Sequence, residues 1–476
     1  MGEAGVVPPA DRPPAEEPPD GEPAGEPPAQ EPATGEPGRR WRGPILIAAA
    51  VVALVVAAGA VLFFATREDD VATPSGPASP SDSAAPSDSA APSDPATSAP
   101  DHDDHGAQPG TSGDDGTDGD GDATSTTLES GPAAVVADIR EFVSEVRGLE
   151  FRRDVPVELL DEAEFVALLE QLDEEGDAEA EAEGEGDQDE ITAAFLQALR
   201  ILGPDDDLEE LVDGAARQGT LGFYIPDEGR LVVRGDDLTP FVRQTIAHEL
   251  THALDDQYFD IDRDELDELD EDAEFAWEVV VEGSAEWVAQ QYRDSLPDDE
   301  RDALQQEIAS FAAGDPYADI PQEIVLALTL PYVLGPPYVQ SLEATDGRDG
   351  VDGVLEDPPS TTEQILDPGA SDEDSVAAVQ PPPSPVEPLH SDVFGAASYL
   401  VLFPDAAGIE LARTWGSDAY VLWLGEDGSP CLRTDVVGDD EEATERYSEL
   451  LGDWAAEHGG ATVERVGPLV RLTACA

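Results

Sequence analysis

The stretch Thr239-Pro240-Phe241-Val242-Arg243-Gln244-Thr245-Ile246-Ala247-His248-Glu249-Leu250-Thr251-His252-Ala253-Leu254 decides how the chain folds. Thr239 is a helix-capping residue, and Pro240 suits the first helical position, where its missing N–H is no loss. Ile246, Leu250, Ala253 and Leu254 then recur along one helical face. His248 and His252 stand one turn apart on this helix, so they present two imidazoles to one ion. Glu249, next to the first histidine, is placed to take a proton from water activated by that ion. The bland alternative is two surface histidines on a helix. With only six histidines in 476 residues, a chance His-Glu-x-x-His is rare.

A catalytic zinc takes three protein ligands and keeps one position open. Metzincins supply the third ligand six residues beyond the second histidine, after a glycine; here those positions hold Tyr258 and Asp255. Glu282 is the better candidate. It lies in Val281-Glu282-Gly283-Ser284-Ala285-Glu286 on the next strong helix, and apolar Val279, Val280 and Val281 precede it, unlike a carboxylate on a solvated face. Gly283 allows the two helices to approach closely. Glu286, one turn on, suits an outer partner that fixes the tautomer of a ligating histidine. Glu278, Glu286 and Asp255 are the alternatives for the third ligand.

Outward from the motif, Gly219–Ile225 and Arg230–Arg234 flank the turn-forming Pro226-Asp227-Glu228-Gly229 and read as a β-hairpin. Its edge offers a strand along which an extended peptide can pair. Helices are expected over 133–147, 158–172, 191–202, 205–216 and 272–293, and for most of the chain to about 345. The acidic stretch 173–190 reads as a surface loop, and 381–388 as a Pro-rich excursion. Short strands are expected at Tyr420–Leu424 and Val463–Leu472. The fold class is α+β with helices predominant, in one extracytoplasmic unit over 131–476.

Before residue 131 the composition changes. Residues 1–38 are rich in Pro, Glu, Gly and Ala and read as a disordered tail. Arg39, Arg40 and Arg42 precede an uninterrupted apolar run from Ile45 to Ala65, long enough for a transmembrane helix over 44–66. The arginine bias places the tail in the cytoplasm and everything after residue 66 outside, as a single-pass protein of the cell membrane. A cleavable signal peptide is the competing interpretation; the long preceding tail and the length of the run argue against it. Residues 67–130, rich in Ser, Pro, Asp and Gly, read as a flexible stalk.

The formal net charge is −85 with no lysine, which excludes the basic footprint that nucleic-acid binding requires. Cys431 and Cys475 are the only cysteines, too far apart for a local metal or redox pair. Outside the cytoplasm they are expected to form one disulfide; two buried free thiols are the alternative.

The zinc motif and the downstream Glu-Gly-x-Ala resemble the gluzincins, zincin metallopeptidases whose third ligand is glutamate. That resemblance implies His248, His252 and Glu282 as zinc ligands and Glu249 as the catalytic base. The chain also looks like a group of secreted or membrane-anchored bacterial proteins. The resemblance rests on Gly222-Phe223-Tyr224, on Ile246 through Asp260, and on the Glu-Gly-x-Ala segment. Ser360-Thr361-Thr362-Glu363-Gln364 and Trp415-Gly416-Ser417-Asp418 also match, with no role assigned to them. His390, Tyr399 and Tyr420 are candidates for stabilising an oxyanion. The expected function is zinc-dependent hydrolysis of peptide bonds in a peptide or protein substrate. The rivals are an inactive zincin-fold binding module and a structural ectodomain without metal.

Overall fold

A computed structural model describes residues 131–476 except 184–187, 236, 264, 265, 267, 268, 315, 316, 319 and 369–376. The tail, the expected membrane span and the stalk lie outside the described residues. Among the described residues no helix is long and apolar enough to cross a membrane. The architecture is α+β with helices predominant and two small sheets.

Helix α1 (Pro132–Arg147) is followed by strand β1 (Val157–Leu160) and helices α2 (Glu162–Glu183), α3 (Gln188–Ala198) and α4 (Leu208–Gly219). Strands β2 (Gly222–Ile225) and β3 (Arg230–Arg234) form the expected hairpin. Residues 157–160, expected inside a helix, instead pair in parallel with β3, from Val157 opposite Leu231 to Leu160 opposite Arg234. The sheet order β1-β3-β2 leaves β2 at an edge. The acidic stretch 173–190 is also corrected: α2 continues through it to Glu183, and α3 begins at Gln188. Alanine and glutamate are strong helix formers, and the Asp161 carboxylate caps the start of α2 by accepting from the Ala163 and Glu164 N–H groups.

The motif helix α5 (Pro240–Phe259) starts as its sequence dictates, with Thr239 Oγ1 accepting from the Val242 N–H. It buries fifteen of its twenty residues, so it is a central helix packed on every side. Ile246, Leu250 and Leu254 join Ile139 and Val143 of α1 and Leu231 and Val233 of β3 in one core. Helix α6 (Glu271–Ser295) is capped by Asp270, whose carboxylate accepts from the Ala273 N–H. Helices α7 (Asp298–Ala312), α8 (Gln322–Asp346) and α9 (Arg348–Glu356) follow. Gly283 does permit a close helix approach, but to α8 rather than α5. A Cβ on Gly283 would lie 2.6 Å from the Gly335 backbone. Any side chain there would drive the two helices apart.

The remainder comprises α10 (Thr362–Leu366), α11 (Ala396–Leu402), α12 (Ala406–Ala412), β4 (Trp415–Leu424), β5 (Pro430–Gly438), α13 (Glu441–Glu457), β6 (Thr462–Val466) and β7 (Leu469–Cys475). The expected strand at Val463–Leu472 is a hairpin that turns at Gly467, which has φ 66°. The second sheet is antiparallel in the order β4-β5-β7-β6 and packs Tyr420, Leu422, Leu432 and Val436 against Tyr447 and Leu451 of α13. Cys431 and Cys475 lie opposite each other on β5 and β7 and form the expected disulfide.

The two downstream signature segments meet at the first turn of α6. Thr362 donates its backbone N–H and its hydroxyl to Asp272, and its Oγ1 accepts from the Ala397 N–H at 2.8 Å. Asp418 accepts from the Phe394 N–H at 2.8 Å and from Trp415 Nε1 at 2.9 Å. A Cβ at Gly395 would overlap the Asp272 carboxylate. These bonds tie the C-terminal sheet to the start of α6.

Burial drives the Asp272 pKa up to about 7 despite the Thr362 bonds, and that of Asp418 up to about 6. Glu363 rises to about 8, through burial and then its neighbours Asp439, Asp367 and Asp272. Between about pH 4 and these values the folded chain holds protons that the unfolded chain has released. Their stabilisation is therefore full in acid and is lost as pH rises through 6 to 8. Chelator-treated protein should show a higher denaturant midpoint at pH 5.5 than at pH 8.5, and Asp272→Asn should flatten the difference. A higher midpoint at pH 8.5 would contradict this assignment.

Candidate metal centre

The histidines of α5 face the carboxylates of α6. His248 Nε2 lies 3.0 Å from His252 Nε2 and 3.1 Å from Glu282 Oε2, and His252 Nε2 lies 3.5 Å from the same oxygen. Three donors bound tetrahedrally at zinc distances stand roughly 3.3 Å from one another, so this N, N, O set fits a zinc ion. All three residues are buried. Burial disfavours charge on His248, but the hydrogen bond to Glu282 and the neighbouring carboxylates of Glu286 and Glu249 outweigh it and raise its pKa to about 10. Burial likewise opposes charge on Glu282, yet His252 and His248 hold its pKa down at about 2.

Glu249 lies beside this cluster with 2% exposure and one carboxylate oxygen, Oε1, without a hydrogen-bond partner. Burial raises its pKa, opposed by His248 and His252 and by a hydrogen bond from the Tyr224 backbone N–H. The edge strand β2 therefore touches the carboxylate expected to act as base. Glu286 Oε2 lies 3.7 Å from His248 Nδ1, on the outer side of the ring, and Gln290 Nε2 donates to Glu286 Oε1 at 3.2 Å. Nδ1 itself has no hydrogen-bond partner, and Glu286 is the acceptor beside it.

Of the alternative third ligands, Asp255 is committed elsewhere. It pairs with the fully buried Arg147 at 2.8 Å and accepts from Ser284 Oγ at 2.6 Å. Glu278 lies one turn before Glu282 on α6 and is partly exposed. Burial, then the charges of Glu282 and Glu274, raise its pKa to about 8.

The residues considered for an oxyanion are not at this centre. His390 Nε2 and the Tyr420 hydroxyl both bond Glu271, which lies eleven residues before Glu282, roughly 16 Å along α6. Tyr399 is buried in the C-terminal core. Glu271, His390 and Asp392 form a second group with metal-ligand spacing. Tyr420 already donates to both Glu271 oxygens, and Asp392 accepts from the Glu271 and Val393 N–H groups.

The aromatic at the centre is Tyr332 of α8, which the sequence reading missed. Its ring stacks on His248 with centroids 6.1 Å apart and planes at 24°. It is 1% exposed, and its hydroxyl has no hydrogen bond of good geometry. Burial and then Glu282, Glu278 and Glu249 raise its pKa, so it remains a phenol able to donate. Its only sequence cue is the Gly335-Pro336-Pro337 that follows, a mark of close backbone approach inside a helix.

Comparison with family models, curated proteins and solved structures finds no match to this chain.

The geometry separates ligands from scaffold. His248→Ala, His252→Ala and Glu282→Ala should each lose most of the bound zinc, measured by metal analysis of the purified full-length protein. Asp255→Asn should keep the metal but lose about 3 kcal/mol of unfolding stability, because it removes the buried partner of Arg147 and leaves that charge only the partly exposed Asp352. Metal loss in Asp255→Asn without loss of stability would reverse the assignment.

Proposed function

We propose that this protein is a zinc metallopeptidase of gluzincin type, with a zincin-like fold, that hydrolyses peptide bonds outside the cytoplasm. The convergence of two imidazole nitrogens and one ionised carboxylate on a single point, beside a carboxylate with a free oxygen, carries this reading. His248, His252 and Glu282 would hold the ion. When bound there, zinc supplies a Lewis acid that polarises the scissile carbonyl and acidifies water. Glu249 accepts the proton of the attacking water and passes it to the leaving amine. The Tyr332 hydroxyl donates to the carbonyl oxygen as it gains negative charge. Glu286 steadies the His248 ring. The free edge of β2, whose Tyr224 N–H meets Glu249, offers backbone pairing to an extended substrate. Anchorage by a single N-terminal span, with the folded unit outside, is part of the same proposal and rests on Arg39, Arg40, Arg42 and the apolar run 45–65.

A second reading is a zincin-fold module that binds without cleaving. It is favoured by the burial of the centre, where His248 is 1% and His252 8% exposed, so substrate reaches it only after α8 or the hairpin shifts.

Cleavage of a peptide library by zinc-loaded protein, with and without chelator, separates the two. Glu249→Gln should keep about one zinc per chain and lose roughly 10³-fold or more in kcat, the scale of general-base catalysis. Tyr332→Phe should keep the zinc and lose about 10²-fold in kcat with KM little changed. Unaltered cleavage in Glu249→Gln would reject the peptidase reading.

A further inference from the structure

We propose that Glu271, His390 and Asp392 bind a divalent transition-metal ion at a second site, which pins the start of α6 to the strap bordering the C-terminal sheet. The site is separate from the one formed by His248, His252 and Glu282, and it stands whether or not the chain cleaves peptides.

The three side chains come from two distant stretches. Glu271 is the first residue of α6, and His390 and Asp392 belong to a strap that runs along the outer edge of β4. Backbone bonds hold the strap there. The Leu389 N–H donates to the Leu422 carbonyl at 2.8 Å, the Leu422 N–H to the His390 carbonyl at 2.9 Å, and the Tyr420 N–H to the Asp392 carbonyl at 2.7 Å. Residues two apart on a strand-like segment face the same side, so His390 and Asp392 are presented together. They meet Glu271. His390 Nε2 lies 3.0 Å from Glu271 Oε1 and 3.9 Å from Asp392 Oδ2, and the three ligand atoms all lie within 4.8 Å of one another. Donors around a zinc ion stand roughly 3.3 Å apart, so Glu271 and His390 already fit and Asp392 has about half an ångström to close. The imidazole sets this group apart from an acidic patch: a nitrogen with two carboxylate oxygens suits zinc-like ions better than calcium or magnesium.

The second observation is that both carboxylates are oriented from outside the group. The Tyr420 hydroxyl donates to both Glu271 oxygens at 2.8 Å, and Asp392 Oδ1 accepts from the Val393 N–H at 2.6 Å. Asp392 Oδ2 is thereby left facing His390. Metal ligands are commonly steadied by outer partners of this kind. Charge points the same way. Among the described residues the only ion pairs of Glu271 and Asp392 are with His390. With a neutral imidazole the group carries two negative charges, which one divalent ion balances. The positive end of α6 opposes a cation by only about half a unit of charge. The side chains of Glu271, His390 and Asp392 are 46%, 25% and 22% exposed, so an ion enters from solvent and water completes its shell.

Full-length protein stripped with chelator and dialysed against zinc tests this, with metal read by elemental analysis and folding by circular dichroism. Wild type should hold one more zinc per chain than His390→Ala. Glu271→Gln and Asp392→Asn keep an oxygen for Tyr420 and for the Val393 N–H, and each should bind that zinc at least tenfold more weakly. In His248→Ala/His252→Ala protein, zinc should still raise the thermal midpoint, because an ion that binds only the folded state stabilises it. Adding His390→Ala should abolish that rise. Equal zinc in wild type and His390→Ala overturns the proposal, as does a loss confined to His390→Ala with both carboxylate variants unchanged. A zinc-dependent rise that is missing from His248→Ala/His252→Ala, or that survives the added His390→Ala, overturns it too.

Discussion

The buried pairing of Arg147 with Asp255 is the constraint on which the rest of the structure depends. Arg147 ends α1 with no exposed surface, and it pairs with Asp255 of α5 and, at 3.0 Å, with Asp352 of α9. Asp255 also accepts from Ser284 of α6. One cation therefore fixes three helices directly and a fourth through a hydroxyl. Asp255 follows His252 by three residues, and Ser284 follows Glu282 by two. The clamp thus sets the spacing of the two helices that bring His248, His252 and Glu282 together. A buried ion pair contributes little net stability over an apolar substitute, so its use here is to specify one register of α5 against α6. A site whose donor atoms must agree to within a few tenths of an ångström needs that definition.

Where α6 meets α8 the constraint is steric. Gly283 and Gly335 let two backbones cross where any side chain would collide, and this brings Tyr332 over His248. Glu282 is therefore held between a polar clamp and a glycine crossing. The first turn of α6 is fixed in turn by Asp272, Thr362 and the loop at Gly395. Carboxylates recur at each of these points in a strongly acidic chain. Asp255 meets a guanidinium, Asp272 a hydroxyl and Glu282 two imidazoles, and a divalent cation at the histidines would compensate the densest group.

The local signals in the sequence were read well. Thr239-Pro240, the turn-forming tetrad of the hairpin and the periodicity of α5 and α6 each act within a few residues, and each formed where expected. Glu282 was legible because valines precede it, which is rare for a glutamate at a surface. What was missed depends on distant partners. Val157–Leu160 becomes a strand because β3, some seventy residues later, offers an edge. Strand β5 and helix α13 went unread, since β5 is defined by pairing with both β4 and β7. Asp173–Glu183 is helical because Ala and Glu favour a helix even where charge suggests a loop. The sequence around Gly283 points to close packing on α5, and its partner on α8 leaves no mark in its neighbours. Tyr332 reaches the centre only through that crossing, and no local spacing announces it. The signature segments at Thr362 and Asp418 acquire a structural role, since they secure the start of the helix that carries Glu282.

The central claim is that two histidines and one glutamate converge on a single metal ion. X-ray absorption at the zinc edge of the full-length, zinc-loaded protein tests it most directly. The account predicts two imidazole nitrogens and oxygen donors at about 2.0–2.1 Å, with one imidazole lost in His252→Ala. A shell of oxygen donors alone, or a spectrum unchanged by His252→Ala, would contradict it.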